Sequence, residues 1–303
     1  MSAFTHVLAV DGGGTKTAAV LLTRDGRQLA ACRSGPSNLY RDPVAGLASI
    51  MDAWLHLCAE AGLDPAGAAT QTIISAGLAG VSGAAQRRAF AHTFPSFAAR
   101  RLSSDGYTAF LGVFGAAPGA LLSIGTGVVA YRRLPGELPV VRSGWGFPVA
   151  DRGSGAWLGF RLAGEYLDHL DGGAVIQDSS LWPVAAKAIG REREAILDWL
   201  KNARAAEFAG LAPAVIEASA AGDPLGGALL AEGAAHLLRL ARALDPNVPA
   251  PLCLGGGLAP IYRPGLETAL GDTLLPATRH PDPLHGAWLV ATGQVAAEFS
   301  DVS

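Results

Sequence analysis

Residues 6–23 read HVLAVDGGGTKTAAVLLT, two apolar runs separated by a glycine cluster. His6–Val10 is short and apolar, which is typical of a buried strand, and Thr17–Thr23 predicts a second strand. Between them lies Asp11-Gly12-Gly13-Gly14-Thr15, a carboxylate followed by three glycines and a hydroxyl. Glycine lets backbone N–H groups approach a ligand closely, so this turn is a candidate anion-binding loop as well as a tight connection.

Two further glycine clusters follow apolar runs in the same way. Ala120–Ile124 predicts a strand that stops at Gly125-Thr126-Gly127, and Pro251–Leu254 predicts one that stops at Gly255-Gly256-Gly257. Ligand sites of α/β proteins lie beyond the strand ends. One cluster alone would usually be a turn, but three clusters, two of them containing Gly-Thr, favour a phosphate-binding site.

Helix signals fill the intervals between the predicted strands. Asp42-Pro43 predicts the start of a helix, with Asp as N-cap and Pro in the first turn, and Asp282-Pro283 predicts the start of a last helix that reaches Phe299. Leu181–Asp245 is almost wholly helical, and Thr273–Pro276 is a further candidate strand. Strands alternating with helices indicate a layered α/β fold.

The second half of the chain repeats the layout of the first. A strand, a glycine- and threonine-containing turn and a second strand occur at residues 6–23 and again at 120–133, which suggests an internal duplication. We therefore predict two domains, residues 1–114 and residues 115–282, the second with a helical insertion. The final helix, 283–303, is expected to pack back onto the first domain. The length of 303 residues suits two domains.

Composition excludes several classes of protein. Half of the residues are hydrophobic and only 16% are charged, so the chain is not disordered, and the net charge of −3 offers no basic field for nucleic acid. No basic segment followed by an apolar run resembles a signal peptide, and no apolar run is long enough to span a membrane. We expect a cytoplasmic protein with no membrane partner, in which the scattered Cys32, Cys58 and Cys253 are reduced thiols.

The common nucleotide and hydrolase motifs are absent. No lysine follows a glycine, so there is no Walker A loop. Residues 12–17 lack the third glycine of the dinucleotide fingerprint, and residues 80–84 lack the last glycine of a nucleophile elbow.

The three glycine clusters instead resemble the phosphate-1, phosphate-2 and adenosine motifs of the acetate/sugar kinase, heat-shock 70, actin superfamily. Within it, the chain is similar to the group formed by N-acetylglucosamine kinases and the BadF/BadG/BcrA/BcrD ATPases. Further matches follow in family order across nearly the whole chain: Ser34–Asn38, Gly77–Gly80, Ser104–Gly106, Gly144–Gly146 and Asp151–Ala156. Each motif is weak alone, and the resemblance depends on their number and order.

This resemblance implies two ribonuclease H-like (actin-like ATPase) domains with an ATP and sugar cleft between them. It also implies ATP and Mg²⁺ as cofactors, a small-molecule amino sugar as partner, and phosphoryl transfer to the 6-hydroxyl of that sugar. Members of the group are often dimers, so a homodimer is the expected assembly, although the sequence itself does not define it.

The resemblance also implies roles for individual residues. Asp105 would be the general base on the sugar 6-hydroxyl, and Asp11 would hold Mg²⁺ through water. The expected ATP-binding residues are Gly12, Gly13, Gly14, Thr15, Gly125, Thr126, Gly127, Gly255, Gly256 and Gly257, and the expected sugar-binding residues are Asn38, Asp105, Trp145 and Asp151. Phosphoryl transfer depends on positioning and charge neutralisation, and Mg²⁺ needs few protein carboxylates, so these residue types suit the reaction.

Simpler structural roles exist for the same residues. Asp105 could cap the helix that follows it, Trp145 could be a core residue, and Asp151 could pair with Arg152 or cap a turn. Lys16 lies beside the first glycine cluster but could point away from it, because side chains alternate along a strand.

The substrate and the class of function stay open at the level of sequence. The loop Gly77–Gly80 has Ala79 where animal N-acetylglucosamine kinases carry serine; this and Phe147-Pro148 resemble bacterial glucosamine kinases, whereas Trp145 favours N-acetylglucosamine as the substrate. Two other classes compete with a hexosamine kinase. A BadF-type activator ATPase would need clustered cysteine ligands for an iron–sulfur cluster, and a sugar sensor on the kinase fold would bind without turnover.

Overall fold

The computed structural model describes residues 4–81, 83–244 and 250–299, which divide into two compact units. Unit 1 comprises the described residues up to Pro118, Arg133–Pro139 and the segment from His280 onward, and unit 2 comprises Gly119–Arg132 and Val140–Arg279. No helix in the described ranges is both long enough and apolar enough to cross a membrane.

The secondary structure of the described residues alternates strands and helices, which agrees with the predicted layering. The strands are β1 His6–Gly12, β2 Thr17–Thr23, β3 Gln28–Ser34, β4 Thr72–Leu78, β5 Ala99–Ser104, β6 Gly119–Ile124, β7 Val128–Arg133, β8 Val140–Val141 and β9 Leu252–Gly255. The helices are α1 Pro43–Ala61, α2 Pro65–Ala69, α3 Ala84–Thr93, α4 Asp105–Phe114, α5 Gly155–Leu170, α6 Leu181–Ile189, α7 Arg193–Asn202, α8 Ala205–Ala209, α9 Ala212–Ala220, α10 Pro224–Leu244, α11 Ala259–Leu270 and α12 Pro283–Ala291.

Unit 1 is built on a mixed five-stranded sheet in the order β3-β2-β1-β4-β5. Strand β1 is antiparallel to β2 and parallel to β4, and β4 is parallel to β5. The carboxyl ends of β1, β4 and β5 therefore lie at one edge of the sheet, where α/β proteins place ligands.

Both faces of this sheet are covered, as the alternation along β1 requires. Leu8 and Val10 belong to the core shared with Ile50 and Trp54 of α1. The intervening Val7 and Ala9 point to the opposite face, where they form a second core with residues of α12. Because side chains alternate along a strand, the short apolar run of β1 packs against a helix on each face.

Helix α1 begins and ends as the sequence predicts. The Asp42 carboxylate accepts a hydrogen bond from the Ala45 backbone N–H, with Pro43 in the first turn, and Gly62 ends the helix in the left-handed conformation, at φ 67°. Asp282 caps α12 in the same way through the His285 N–H. Both predicted helix starts are confirmed.

Helices α4 and α12 cross so closely that glycine is required at the contact. A Cβ added at Gly112 of α4 would overlap the backbone of Asp282, and one added at Gly286 of α12 would overlap the carbonyl group of Thr108. This close packing fixes α4, which carries Asp105 at its first position, against the rest of unit 1.

Unit 2 contains a smaller sheet in the order β8-β7-β6-β9, with β6 parallel to β9. One core packs β6, β7 and β9 against α10 and α11 through Ile124, Leu237 and Tyr262, among other residues. A second core lies among α5, α6 and α9.

Two predicted elements are wrong. Thr273–Pro276 is not a strand: a 3₁₀ helix spans Gly271–Thr273, and only Leu274 forms a bridge, with Leu252. The last helix ends at Ala291 rather than at Phe299, because the left-handed Gly293, at φ 73°, terminates it. Asp245, the predicted end of the long helical stretch, and residues 300–303 lie outside the described residues.

The crossing of α4 and α12 generates a stability prediction. Gly286→Ala forces a methyl group into the backbone of Thr108, so we expect the free energy of unfolding to fall by about 1–3 kcal/mol. The matched control is Gly265→Ala in α11, where an added Cβ has nothing within 4 Å and stability should rise by about 0.5–1 kcal/mol. Urea unfolding of both variants checks this, and equal effects would contradict the packing argument.

Candidate active site

The carboxyl edge of the unit 1 sheet brings together three segments that the sequence singles out. Asp11 is the second-last residue of β1 and pairs in register with Gly77 of β4. Strand β5 ends at Ser104, which pairs with Leu78, and Asp105 follows directly as the first residue of α4. Asp11, the Gly77–Gly80 loop and Asp105 therefore share one edge, as expected for a site at the ends of parallel strands.

The turn after β1 is both firmly built and open to solvent. The Gly13 N–H donates to the Lys16 carbonyl oxygen (3.0 Å), which closes the turn. Gly14, Thr15 and Lys16 are exposed, whereas Gly12 is buried and a Cβ there would overlap the Ser37 hydroxyl. The exposed residues of the turn are thus available to a ligand.

The segment Ser34–Asn38 is fastened to this turn by hydrogen bonds. The Thr17 hydroxyl donates to the Gly35 carbonyl oxygen (2.6 Å) and shares a second hydrogen bond with the Ser37 hydroxyl (2.7 Å between the two oxygens). The Ser37 N–H donates to the Gly13 carbonyl oxygen (3.0 Å). These contacts hold the neighbouring Asn38 in a fixed place relative to the first glycine cluster.

Asn38 has a structural duty in addition to its predicted sugar contact. Its Oδ1 accepts hydrogen bonds from the backbone N–H groups of Tyr40 and Arg41, each at 3.0 Å. Gly80, at φ 77°, packs against this turn so closely that a Cβ would lie 2.5 Å from Asn38 Oδ1. With its oxygen engaged, Asn38 can offer a ligand the N–H groups of its Nδ2.

Asp105 does not cap the helix that it begins. Ser104 is the N-cap of α4, and its Oγ accepts from the Tyr107 N–H at 3.3 Å. Asp105 Oδ1 accepts a local hydrogen bond from the Gly106 N–H at 2.9 Å. The explanation of Asp105 as the cap of this helix is therefore wrong, because Ser104 is the N-cap.

The two carboxylates at this edge are held in an environment that disfavours their charge. The pKa of Asp11 is raised to about 6, mainly by burial and next by the nearby Asp105 carboxylate, whose effect is larger than the lowering by Lys16. Burial also raises the pKa of Asp105, against the Gly106 hydrogen bond that lowers it. Carboxylates with raised pKa values at a strand edge are typical of functional sites.

A segment that no motif indicates supports the start of α4. Glu298 Oε2 accepts from both the backbone N–H and the hydroxyl of Ser104, each at 2.7 Å. The Tyr107 hydroxyl donates to the Ala296 carbonyl oxygen at 2.9 Å. The sequence carries no local signal for these contacts, because they join residues almost two hundred positions apart.

In unit 2, the second and third glycine clusters also lie at one sheet edge. Ser123 of β6 pairs with Gly255 of the parallel strand β9, so Gly125–Gly127 and Gly255–Gly257 follow adjacent strand ends. The first turn of α5 is anchored here, since the Gly155 N–H donates to the Gly125 carbonyl oxygen at 2.8 Å and the Ala156 N–H to that of Thr126 at 3.1 Å.

Each of the three clusters combines a glycine required by packing with one that packing does not require. Cβ atoms added at Gly12, Gly127 and Gly256 would collide with neighbouring atoms, whereas those at Gly14, Gly125 and Gly257 would meet nothing within 4 Å. The second group has no steric reason to be glycine in this structure. Close approach of a ligand to the backbone would supply one.

The predicted sugar residues of unit 2 lie beside the second cluster. Asp151 adopts the left-handed conformation at φ 61°, and its carboxylate accepts from the backbone N–H groups of Val128 and Gly146. Burial raises its pKa against these two hydrogen bonds. Trp145 lies between Gly144 and Gly146, both at positive φ, and 90% of its surface is exposed, so it is not a core residue.

A sequence model of the BadF/BadG/BcrA/BcrD ATPase family matches residues 8–283, almost the whole chain. The chain belongs to the BadF/BadG/BcrA/BcrD ATPase family. It is 30% identical over 258 residues to glucosamine kinase GspK of Vibrio cholerae, a match that spans 84% of this chain and 85% of that protein. The resemblance read from the sequence is thereby confirmed.

Solved structures agree with this family assignment. A protein of Chromobacterium violaceum provisionally named N-acetylglucosamine kinase is 33% identical and superposes with a TM-score of 0.86, covering 95% of this chain and 99% of that one. A Porphyromonas gingivalis protein with the same provisional name is 20% identical, with a TM-score of 0.69 over 95% of this chain and 99% of that one, and supports the fold alone. The predicted actin-like ATPase fold is confirmed.

The raised pKa of Asp11 predicts that the ionised carboxylate of this residue destabilises the folded protein. An aspartate whose pKa rises from 3.8 to about 6 on folding loses stability as pH increases through that interval. Asp11→Asn, which stays uncharged, should therefore raise Tm by a few degrees near pH 8 in chelator, and the gain should vanish near pH 4.

Asp25→Asn is the matched control for this experiment. Asp25 is fully exposed, and a hydrogen bond from the Thr23 hydroxyl lowers its pKa, so removing its charge should not raise Tm. A lower Tm for Asp11→Asn at both pH values would show that the carboxylate stabilises the fold instead.

Proposed function

We propose that the chain is an ATP-dependent hexosamine kinase that phosphorylates the 6-hydroxyl of an amino sugar, with N-acetylglucosamine as the preferred substrate. The observation that carries this proposal is the placement of Asp105 at the sheet edge next to Asp11, with the capping of α4 left to Ser104. The names of the relatives, a glucosamine kinase and an N-acetylglucosamine kinase, support the same class of substrate.

In the proposed reaction, Asp105 is the general base. The oxygen of the sugar 6-hydroxyl forms the new bond to the γ-phosphorus of ATP, the bond between that phosphorus and ADP breaks, and the hydroxyl proton passes to the Asp105 carboxylate. The raised pKa of Asp105 strengthens it as a proton acceptor compared with an ordinary aspartate. The Gly106 hydrogen bond orients the carboxylate for this role.

The glycine clusters are proposed to bind the nucleotide. In unit 1, Gly14 and Thr15 offer exposed backbone and hydroxyl donors to phosphate oxygens, and Gly13 holds the turn that presents them. In unit 2, Gly125–Gly127 would contact phosphate and Gly255–Gly257 would pass beside the adenosine. The glycines in these clusters that packing does not require support this assignment.

Asp11 is proposed to hold Mg²⁺. Its carboxylate is partly buried near the Asp105 carboxylate, and burial, followed by that neighbouring charge, raises the pKa of Asp11. A cation bound there would favour the ionised form. Mg²⁺ is usually held by one or two protein carboxylates together with water and phosphate oxygens. When bound, it would neutralise charge on the transferring phosphoryl group.

Asn38, Trp145 and Asp151 are the residues proposed to contact the sugar. Asn38 would donate from its Nδ2, since its oxygen already accepts two backbone N–H groups. Trp145, with its exposed ring, would supply an apolar face, and Asp151 would accept hydrogen bonds from sugar hydroxyls.

Replacing the proposed base tests the mechanism directly. Asp105→Asn cannot accept the hydroxyl proton, so kcat should fall by about 10²–10⁴-fold while sugar binding persists. Asp272→Asn, an exposed aspartate of unit 2, is the control and should leave kcat unchanged. Steady-state kinetics with a coupled ADP assay measures both variants. Normal turnover by Asp105→Asn on every hexosamine would overturn the mechanism.

A substrate screen decides between the two amino sugars. ADP release is measured with N-acetylglucosamine, glucosamine, N-acetylmannosamine, glucose and no sugar. We expect the highest kcat/KM for N-acetylglucosamine; a preference for glucosamine would correct the substrate while keeping the reaction. Tight sugar binding without ADP release would establish a sensor, and sugar-independent hydrolysis by an iron-containing protein would favour an activator ATPase.

A further inference from the structure

The segment that follows α12 returns to the end of strand β5. Here it is called the return segment, residues 294–299, all within unit 1. It lies beyond residue 283, where the match to the family model ends. Its contacts therefore concern a part of the chain to which the family assignment gives no role.

Glu298 makes the central contact of the return segment. A single oxygen, Oε2, accepts from the backbone N–H of Ser104 and from its hydroxyl, both at 2.7 Å. Hydrogen bonds to an ionised acceptor are stronger than neutral ones, and two donors on one residue fix its orientation. Ser104 is the last residue of β5 and the N-cap of α4, so Glu298 clamps the junction between them.

The residues on either side of Glu298 keep it in place. The Tyr107 hydroxyl, on the first turn of α4, donates to the Ala296 carbonyl oxygen at 2.9 Å. Phe299 packs against the core of unit 1, and the Arg87 guanidinium lies over its ring, 5.0 Å from the centroid. Burial, followed by the proximity of Glu298, raises the pKa of Tyr107 to about 12, so the phenol remains a hydrogen-bond donor at physiological pH.

We infer that Glu298 is a positioning residue that sets the place of the Asp105 carboxylate by clamping Ser104. The inference rests on the proposed function, in which Asp105 is the base. Asp105 follows Ser104 directly, so any movement of the Ser104 peptide moves the Asp105 Cα and its carboxylate. Displacing a reacting group by about 1 Å can cost about 10²-fold in rate.

A positioning role and a purely stabilising role are distinguished by the kinetic parameters that each would change. Glu298→Ala removes the acceptor of two hydrogen bonds and should lower kcat by about 10–100-fold, with KM for sugar and ATP within about threefold of the parent. Glu298→Gln keeps an oxygen that accepts both hydrogen bonds and should restore kcat to within about threefold. Gln294→Ala, an exposed position on the same segment, is the matched control and should leave kcat unchanged.

A double-mutant cycle with Asp105→Asn identifies the group through which Glu298 acts. If Glu298 acts through the base, Glu298→Ala should cost little further activity once the base is gone, so the two effects are not additive. Thermal unfolding is measured for every variant, and kcat is expressed per folded molecule. If Glu298→Ala does not fold, Glu298→Asp takes its place, because it retains the charge but shortens the reach to Ser104.

The outcomes separate this inference from the proposed function. Full activity of Asp105→Asn would overturn both. An inactive Asp105→Asn combined with parent-like kcat for Glu298→Ala, or with fully additive losses, would overturn the positioning role and leave the base in place. A loss of kcat in Glu298→Ala that Glu298→Gln recovers, and that disappears in the Asp105→Asn background, would establish it.

Discussion

Two buried carboxylates at one sheet edge constrain much of unit 1. Asp11 and Asp105 lie on different elements, and each pays for burial with a raised pKa. Left to relax, such groups would move apart or toward water. The surrounding structure prevents this. Strand β1 is hydrogen-bonded to β2 on one side and to β4 on the other, and α4 is held by its close crossing with α12 and by its N-cap, Ser104. Rigidity around the site is thus a condition for its chemistry.

Glycine serves this rigidity and the proposed ligand contacts at different positions. Gly112 and Gly286 allow two helices to touch along their backbones, and Gly12 makes room for the Ser37 hydroxyl. Gly14 and Gly125 have open space where a side chain could stand. Glycine at these positions therefore meets two separate requirements, one for close packing within the units and one for access to the backbone at strand ends.

Local patterns predicted the elements well because their causes are local. The Asp42-Pro43 and Asp282-Pro283 helix starts depend on one side chain and one ring, and the strand at residues 6–10 depends on a short apolar run. The predicted end of the last helix was wrong because its apolar spacing continues past Gly293, where the backbone adopts the left-handed conformation. The contact between Glu298 and Ser104 had no local cause, since it needs the tertiary fold to bring the two residues together.

Asp151 has a structural role that is compatible with its proposed role in sugar recognition. Its carboxylate joins the N–H of Val128, next to the second glycine cluster, to the N–H of Gly146, next to Trp145. A carboxylate has about four acceptor sites, so two backbone donors leave capacity for sugar hydroxyls. The strained left-handed backbone of Asp151 is typical of functional positions. The carboxylate proposed to bind sugar thus also supports the turn proposed to hold phosphate, because Asp151 bonds the N–H of Val128 and lies against Gly127.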